Sequence, residues 1–113
     1  KDLYIQGIDE MFTDYIKPQE CGSRYRTDWF MLGGSEKELV VEGERPFSFS
    51  VLPYSPRELI LAGHNFKLGK SDNIYVSIDA AMRGVGSNSC GPQLEKEFEI
   101  PSQGSMKIQI LFR

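Results

Sequence analysis

The chain has 113 residues, which suits one domain, with 13 Lys+Arg against 16 Asp+Glu and a net charge of -3. There is no basic surplus to neutralise a phosphate backbone, so a nucleic-acid partner is disfavoured, and no apolar run approaches the roughly 18–20 residues of a membrane span. Apolar residues make up 40% and aromatics 12%, enough for a packed core, whereas 2 Cys and 1 His provide neither a disulfide framework nor a zinc site and leave little for acid–base chemistry.

The chain starts at Lys1 with no signal peptide behind it, and its last residues, Met106 to Arg113, read as a strand running to the terminus. The expectation is the C-terminal end of a larger protein. Localisation stays open between cytoplasm and periplasm.

Residues 1 to 23 are irregular. Met11 to Ile16 reads either as a strand or as an extended segment lying on a neighbour. The stretch Pro18-Gln19-Glu20-Cys21-Gly22-Ser23-Arg24 precedes an aromatic run containing Trp29 and Phe30. It reads as a buried turn in which Glu20 and Arg24 pair or bond to the backbone, or as a sugar-contacting loop. Arg26 to Leu32 and Glu38 to Glu42 are strand candidates.

Phe47, Phe49 and Val51 alternate with Ser48 and Ser50, a period of two that puts one apolar row on one face of a strand. Ser55-Pro56-Arg57-Glu58 is a capping box with proline at the first helical position. It predicts about two turns of helix through Leu59, Ile60 and Leu61, with Gly63 available to close the end. His64 follows, with no second His or carboxylate pair nearby, and reads as structural.

Ile74, Val76 and Ile78 alternate with Tyr75, Ser77 and Asp79, and Met106, Ile108, Ile110 and Phe112 alternate likewise near the end. Glu95 to Ile100 is a further strand candidate, with Phe98 and Ile100 inward. Glu95, Glu97 and Glu99 then share a solvated face and do not form the carboxylate pair of a glycosidase.

Gly84-Val85-Gly86-Ser87-Asn88-Ser89-Cys90-Gly91-Pro92 is the most unusual stretch, nearly free of bulky side chains. Ser89 replaces the third glycine of a dinucleotide loop and no helix pattern follows, so nucleotide binding is disfavoured. Two readings remain. One is a plain connection between strands. The other is a loop that approaches a ligand closely, with Asn88 and the serine hydroxyls as hydrogen-bonding groups. Cys21 and Cys90 could pair, but a reducing compartment would keep both as thiols. The fold class is all-β: an antiparallel β-sandwich with one short helix.

Taken in order, these segments resemble the C-terminal domain of the lactase-type β-galactosidases of glycoside hydrolase family 2. The marks are Asp14 to Arg24, Phe47-Ser48-Phe49-Ser50 leading to Tyr54-Ser55, the short helix with Leu59 and His64, and Ile78-Asp79 ahead of Gly84 to Pro92. The resemblance implies a galactose-mutarotase-like supersandwich, here truncated, so that residues 1–113 are a partial C-terminal domain. It implies a retaining hydrolase of β-D-galactosides such as lactose, whose two catalytic glutamates and metal sites lie in a central barrel outside this chain. The chain alone is then expected to be inactive and to hold no catalytic residue, no metal and no cofactor of its own. The implied partners are the galactoside, through the full-length enzyme, the other domains of the same protein, and further copies in a homo-oligomer. The implied contribution of this chain is to the acceptor side of the site, through Ser87, Asn88, Ser89 and Cys90. Some members carry a stacking Trp where this chain has Cys90. A free-standing carbohydrate-binding or oligomerisation module is the competing reading. A mutarotase would need more acid–base groups than His64 alone offers. With fewer strands than a complete supersandwich, the chain is also expected to self-associate or to expose an apolar patch.

Overall fold

A computed structural model describes residues 2–69, 71–82, 94 and 96–113. Four strands, β1 (Arg24–Gly33), β2 (Glu38–Leu52), β3 (Tyr75–Asp79) and β4 (Ile108–Phe112), and one helix, α1 (Pro56–Leu61), carry the fold. Short 3-10 turns cover Ile8–Met11, Asn65–Lys67 and Lys96–Phe98. The strands form one sheet in the order β1-β2-β3, with β4 also pairing with β2. The all-β, antiparallel class with one short helix is borne out. Among the described residues no helix is long and apolar enough to cross a membrane.

β2 is the organising strand. The sequence reads as two short strands around Gly43 and Pro46, but a single 15-residue strand runs through both. Its first half pairs antiparallel with β4, from Leu39 opposite Phe112 to Gly43 opposite Ile108. Glu38 and Arg113 exchange two backbone bonds of 3.1 and 2.9 Å, and the Glu44 amide donates to the Lys107 carbonyl at 3.1 Å. Amides of even-numbered residues therefore point at β4. Pro46 falls in that series with no N–H to give, so the ladder ends there while the strand continues.

The chain divides into two compact units. One comprises Lys1–Tyr25 and Phe49–Ile78, and the other Arg26–Ser48 and Asp79–Arg113. In the second unit, Phe30 and Phe47 are buried and meet with ring centroids 6.0 Å apart, tilted by 58°. Val41 is buried as well. Residues opposite one another in an antiparallel pair share a face. Leu39, Val41, Ile110 and Phe112 thus form the apolar row expected of the last strand. Its β4 half is uncovered: Ile110 is 51% and Phe112 78% exposed. The expected apolar patch is present.

In the first unit, Leu52, Tyr54 and Leu59 form a buried cluster, with Phe12, Cys21 and Leu68 packed against it. The rings of Phe12 and Tyr54 lie 5.0 Å apart. Burial of an aliphatic side chain such as Leu59 contributes about 1.5–3 kcal/mol. The capping box forms as expected: Ser55 Oγ accepts from the Glu58 amide at 3.2 Å, and the Glu58 carboxylate accepts from the Ser55 amide at 2.7 Å.

Several local expectations are corrected. Ser48 and Ser50, the polar members of the alternation, are buried at 4% and 3%, whereas Phe49 of the expected apolar row is only half-buried. Both faces of β2 are covered there, so polarity alternates while burial does not. All five residues of β3 are half-buried, so its alternation is not expressed either. Residues Lys96–Phe98 form a 3-10 turn in place of a strand, and Ile100, expected inside, is 42% exposed. A short charged stretch gains nothing from a sheet when few of its side chains bury. Gly63 does not take a left-handed cap conformation; the helix ends as Ala62 turns extended, its amide bonding to the Glu58 carbonyl at 2.9 Å.

Candidate functional site

The loop residues singled out from sequence, Ser87, Asn88, Ser89 and Cys90, lie outside the described residues, as does the rest of Gly84 to Pro92. Among the described residues, no group of three or more His, Cys, Asp or Glu side chains could hold a metal ion.

The second segment singled out, Pro18 to Arg24, lies among the described residues. Met11 closes the Ile8–Met11 turn and buries its side chain, after which the chain runs extended through Phe12. Cys21 folds back onto this run: its Sγ accepts from the Thr13 amide at 3.3 Å and lies 3.8 Å from the Thr13 carbonyl oxygen, to which the thiol donates. Cys21 is a free thiol. Gly22 takes φ +71° and brings its backbone against the Met11 carbonyl. Arg24 donates through Nε to Gln6 Oε1 at 3.2 Å, again through Nη2, and through Nη1 to the Gly22 carbonyl at 3.4 Å. Of the two expected options, pairing or backbone bonding, Arg24 takes the second at Gly22 and gives its remaining N–H groups to Gln6, and Glu20 stays exposed. The expected burial of the turn is confined to Pro18. A sequence offers no local sign that residue 6 will come back to residue 24.

Residues 14–20 form one side of a groove of about 810 Å³, and Pro56, Leu59 and Ile60 of α1 form the other. The Asp14–Ile16 stretch is pinned from behind. The Asn65 amide donates to the Ile16 carbonyl at 3.0 Å, and Asn65 Nδ2 donates to Asp14 Oδ1 at 3.0 Å. Of the two readings of Met11 to Ile16, the extended segment lying on a neighbour is the one observed. His64 is exposed and stacks on Phe66, with centroids 5.3 Å apart and rings within 9° of parallel. It sits in a ring stack and belongs to no acid–base cluster among the described residues. The groove was not legible as a site. Its one sequence signal was the unbroken run Leu59-Ile60-Leu61, more apolar residues than one helix face buries.

At the helix start, Glu58 is held below the usual carboxylate range by the Ser55 side chain, then by the Ser55 backbone amide; both bonds favour the ionised form. Glu58 is committed to capping the helix.

Comparison with known proteins gives the remaining information. Residues 1–112 match the family described as beta galactosidase small chain. The β-galactosidase of Actinobacillus pleuropneumoniae is 38% identical over 111 residues, covering 97% of this chain and 11% of that protein. The β-galactosidase of Staphylococcus xylosus is 36% identical over 101 residues, covering 86% of this chain and 10% of that protein. The β-galactosidase small subunit of Latilactobacillus sakei is 34% identical over 101 residues, covering 78% of this chain and 32% of that subunit. The chain thus spans about a tenth of the length of the first two relatives. With a match over nearly its full length, the chain belongs to the beta-galactosidase small chain family.

Proposed function

We propose that residues 1–113 act as part of a non-catalytic C-terminal β-sandwich domain of a retaining β-galactosidase that hydrolyses terminal β-D-galactosides such as lactose. The observation that carries the reading is the family match over residues 1–112, supported by 38% identity to a β-galactosidase across 97% of the chain. In a retaining mechanism one carboxylate attacks the anomeric carbon and a second carboxyl group protonates the leaving oxygen, the two standing about 5–5.5 Å apart. In this reading both belong to another part of the enzyme, and this chain's own contribution is binding.

Ser87, Asn88, Ser89 and Cys90 then line the acceptor side of the galactoside site. Small side chains let a backbone approach a sugar, and the Ser and Asn groups offer donors and acceptors to its hydroxyls. A Cys at position 90 buries far less area against a sugar ring than an aromatic side chain would. The other partners in this reading are the remaining domains of the protein and further copies in a homo-oligomer.

Replacing Cys90 with Trp in the full-length enzyme tests the assignment. Transfer of galactose to added glucose, and the affinity for glucose as acceptor, are expected to change several-fold while hydrolysis persists, because a stacking ring adds about 0.5–1.5 kcal/mol beyond its area. Unchanged transfer and affinity overturn the acceptor role. Galactoside turnover by the purified 113-residue chain overturns the non-catalytic role.

A further inference from the structure

In one of its two sequence readings, Pro18 to Arg24 is a sugar-contacting loop, and its first three residues line the groove of about 810 Å³ beside helix α1. That volume is typical of small-molecule sites, which hold roughly 300–1,000 Å³. The lining is sorted by polarity. Leu59 and Pro18 are buried, whereas Asp14, Lys17, Gln19 and Glu20 are exposed. The groove therefore has an apolar base and a polar rim.

The rim carries two carboxylates, Asp14 and Glu20, against the single ammonium of Lys17. A phosphate or carboxylate ligand is disfavoured by that balance. An uncharged ligand with several O–H donors at its edge and an apolar face suits both parts of the groove, and a pyranose ring is built in that way. Tyr15, 42% exposed, provides the one aromatic ring of the lining. The wall is also held in place before any ligand arrives. Asn65 donates from its amide to the Ile16 carbonyl and from Nδ2 to Asp14 Oδ1, both at 3.0 Å. One oxygen of Asp14 is thereby fixed, and the other is left to accept from a ligand hydroxyl.

We propose that this groove is a saccharide-binding site that takes one pyranose ring. The ring lies against Tyr15 and the apolar base, its hydroxyls donate to Asp14 and Glu20, and Gln19 and Lys17 donate to its oxygens. The sorting of the lining points to the sugar class. The choice of a galactoside within that class rests on the reading of the chain as part of a β-galactosidase.

The test uses the full-length protein with isotope-labelled isoleucine methyl groups. Ile16 and Ile60 line the groove at 80% and 78% exposure and act as reporters, their NMR signals assigned with Ile16→Val and Ile60→Val. Methyl thio-β-D-galactoside is the titrant. Both signals are expected to shift to saturation with a shared midpoint of about 1–10 mM, as suits a ligand of this size. Tyr15→Leu and Gln19→Ala, both at exposed positions, are each expected to raise that midpoint at least about fivefold. No saturable shift up to about 100 mM overturns the proposal. So does a midpoint unchanged in both variants, which would place the bound sugar elsewhere, and so does an equal response to glycerol. Galactoside hydrolysis is measured on the same samples. Hydrolysis without a shift at Ile16 and Ile60 removes the saccharide site and leaves the enzymatic reading in place. A saturable, variant-sensitive shift in a protein that hydrolyses no galactoside does the reverse.

Discussion

Gly22 and Met11 are in such close backbone contact that a β-carbon on Gly22 would overlap the Met11 carbonyl oxygen and lie 3.3 Å from the Met11 β-carbon. The left-handed φ of +71° adds a second demand that side chains rarely meet. Gly22→Ala is therefore expected to lower stability by at least about 1–3 kcal/mol, read by urea unfolding. A neutral result would mean that the 20–24 turn moves away from the Ile8–Met11 turn at little cost.

The Ser55–Glu58 box predicts a pH signature. Glu58 sits below the usual carboxylate range when folded, so its contribution is full at neutral pH, above the value for the unfolded chain. That contribution is lost as pH falls through the lowered value. Ser55→Ala is expected to cost about 1 kcal/mol at neutral pH. Glu58→Gln should flatten the acid side of the stability profile, and an unchanged acid slope in that variant would contradict the assignment.

Leu59 is the buried anchor of helix α1, packed with Leu52 and Tyr54. Leu59→Ala should cost about 2–5 kcal/mol, by loss of transfer free energy and by the cavity it leaves. Thermal unfolding monitored by tyrosine or tryptophan signals reads this directly. A loss below the lower figure would show that Phe12 and Leu68 collapse into the space.

Gly43 faces β4 with almost no room. A β-carbon there would come within 2.7 Å of the Arg45 carbonyl oxygen and of Phe47 Cδ1, and 2.8 Å of Met106 Cε. The methionine end can move, but the carbonyl and the buried ring cannot easily. Gly43→Ala is expected to cost about 1–3 kcal/mol by overpacking, whereas Gly104→Ala, with nothing within 4 Å, should be close to neutral. Equal effects at the two positions would contradict this contrast.

Features that depend on neighbours in sequence were the most legible. The capping box needs only four consecutive residues, and it forms as read. β1 and the two ends of β2 follow from β-branched and aromatic runs. What failed depends on tertiary surroundings. The polarity of Phe47 to Val51 promised one wet face, yet the serines are inside, because the pattern of a strand does not say what lies on each side of it. Glu20 and Arg24 invite either pairing or backbone bonds; Arg24 makes one to the Gly22 carbonyl, but the Gln6 contact had no sign in the sequence. Gly43 and Pro46 looked like punctuation; in the sheet one allows close approach and the other ends a ladder within a continuing strand. The binding loop was singled out for its small residues and through family resemblance. The groove was not, because its two sides come from residues about forty positions apart.

The two buried serines have a further consequence. With Phe47 at 2%, Ser48 at 4%, Ser50 at 3% and Val51 at 0% exposure, the middle of β2 is buried on either side of a half-buried Phe49. Backbone amides in such a stretch exchange with deuterium only when the whole structure opens, whereas those near the exposed end of β4 exchange through local fraying. The centre of β2 is thus a built-in clock for global unfolding, and its exchange rate reports the stability of the fold without any label or substitution.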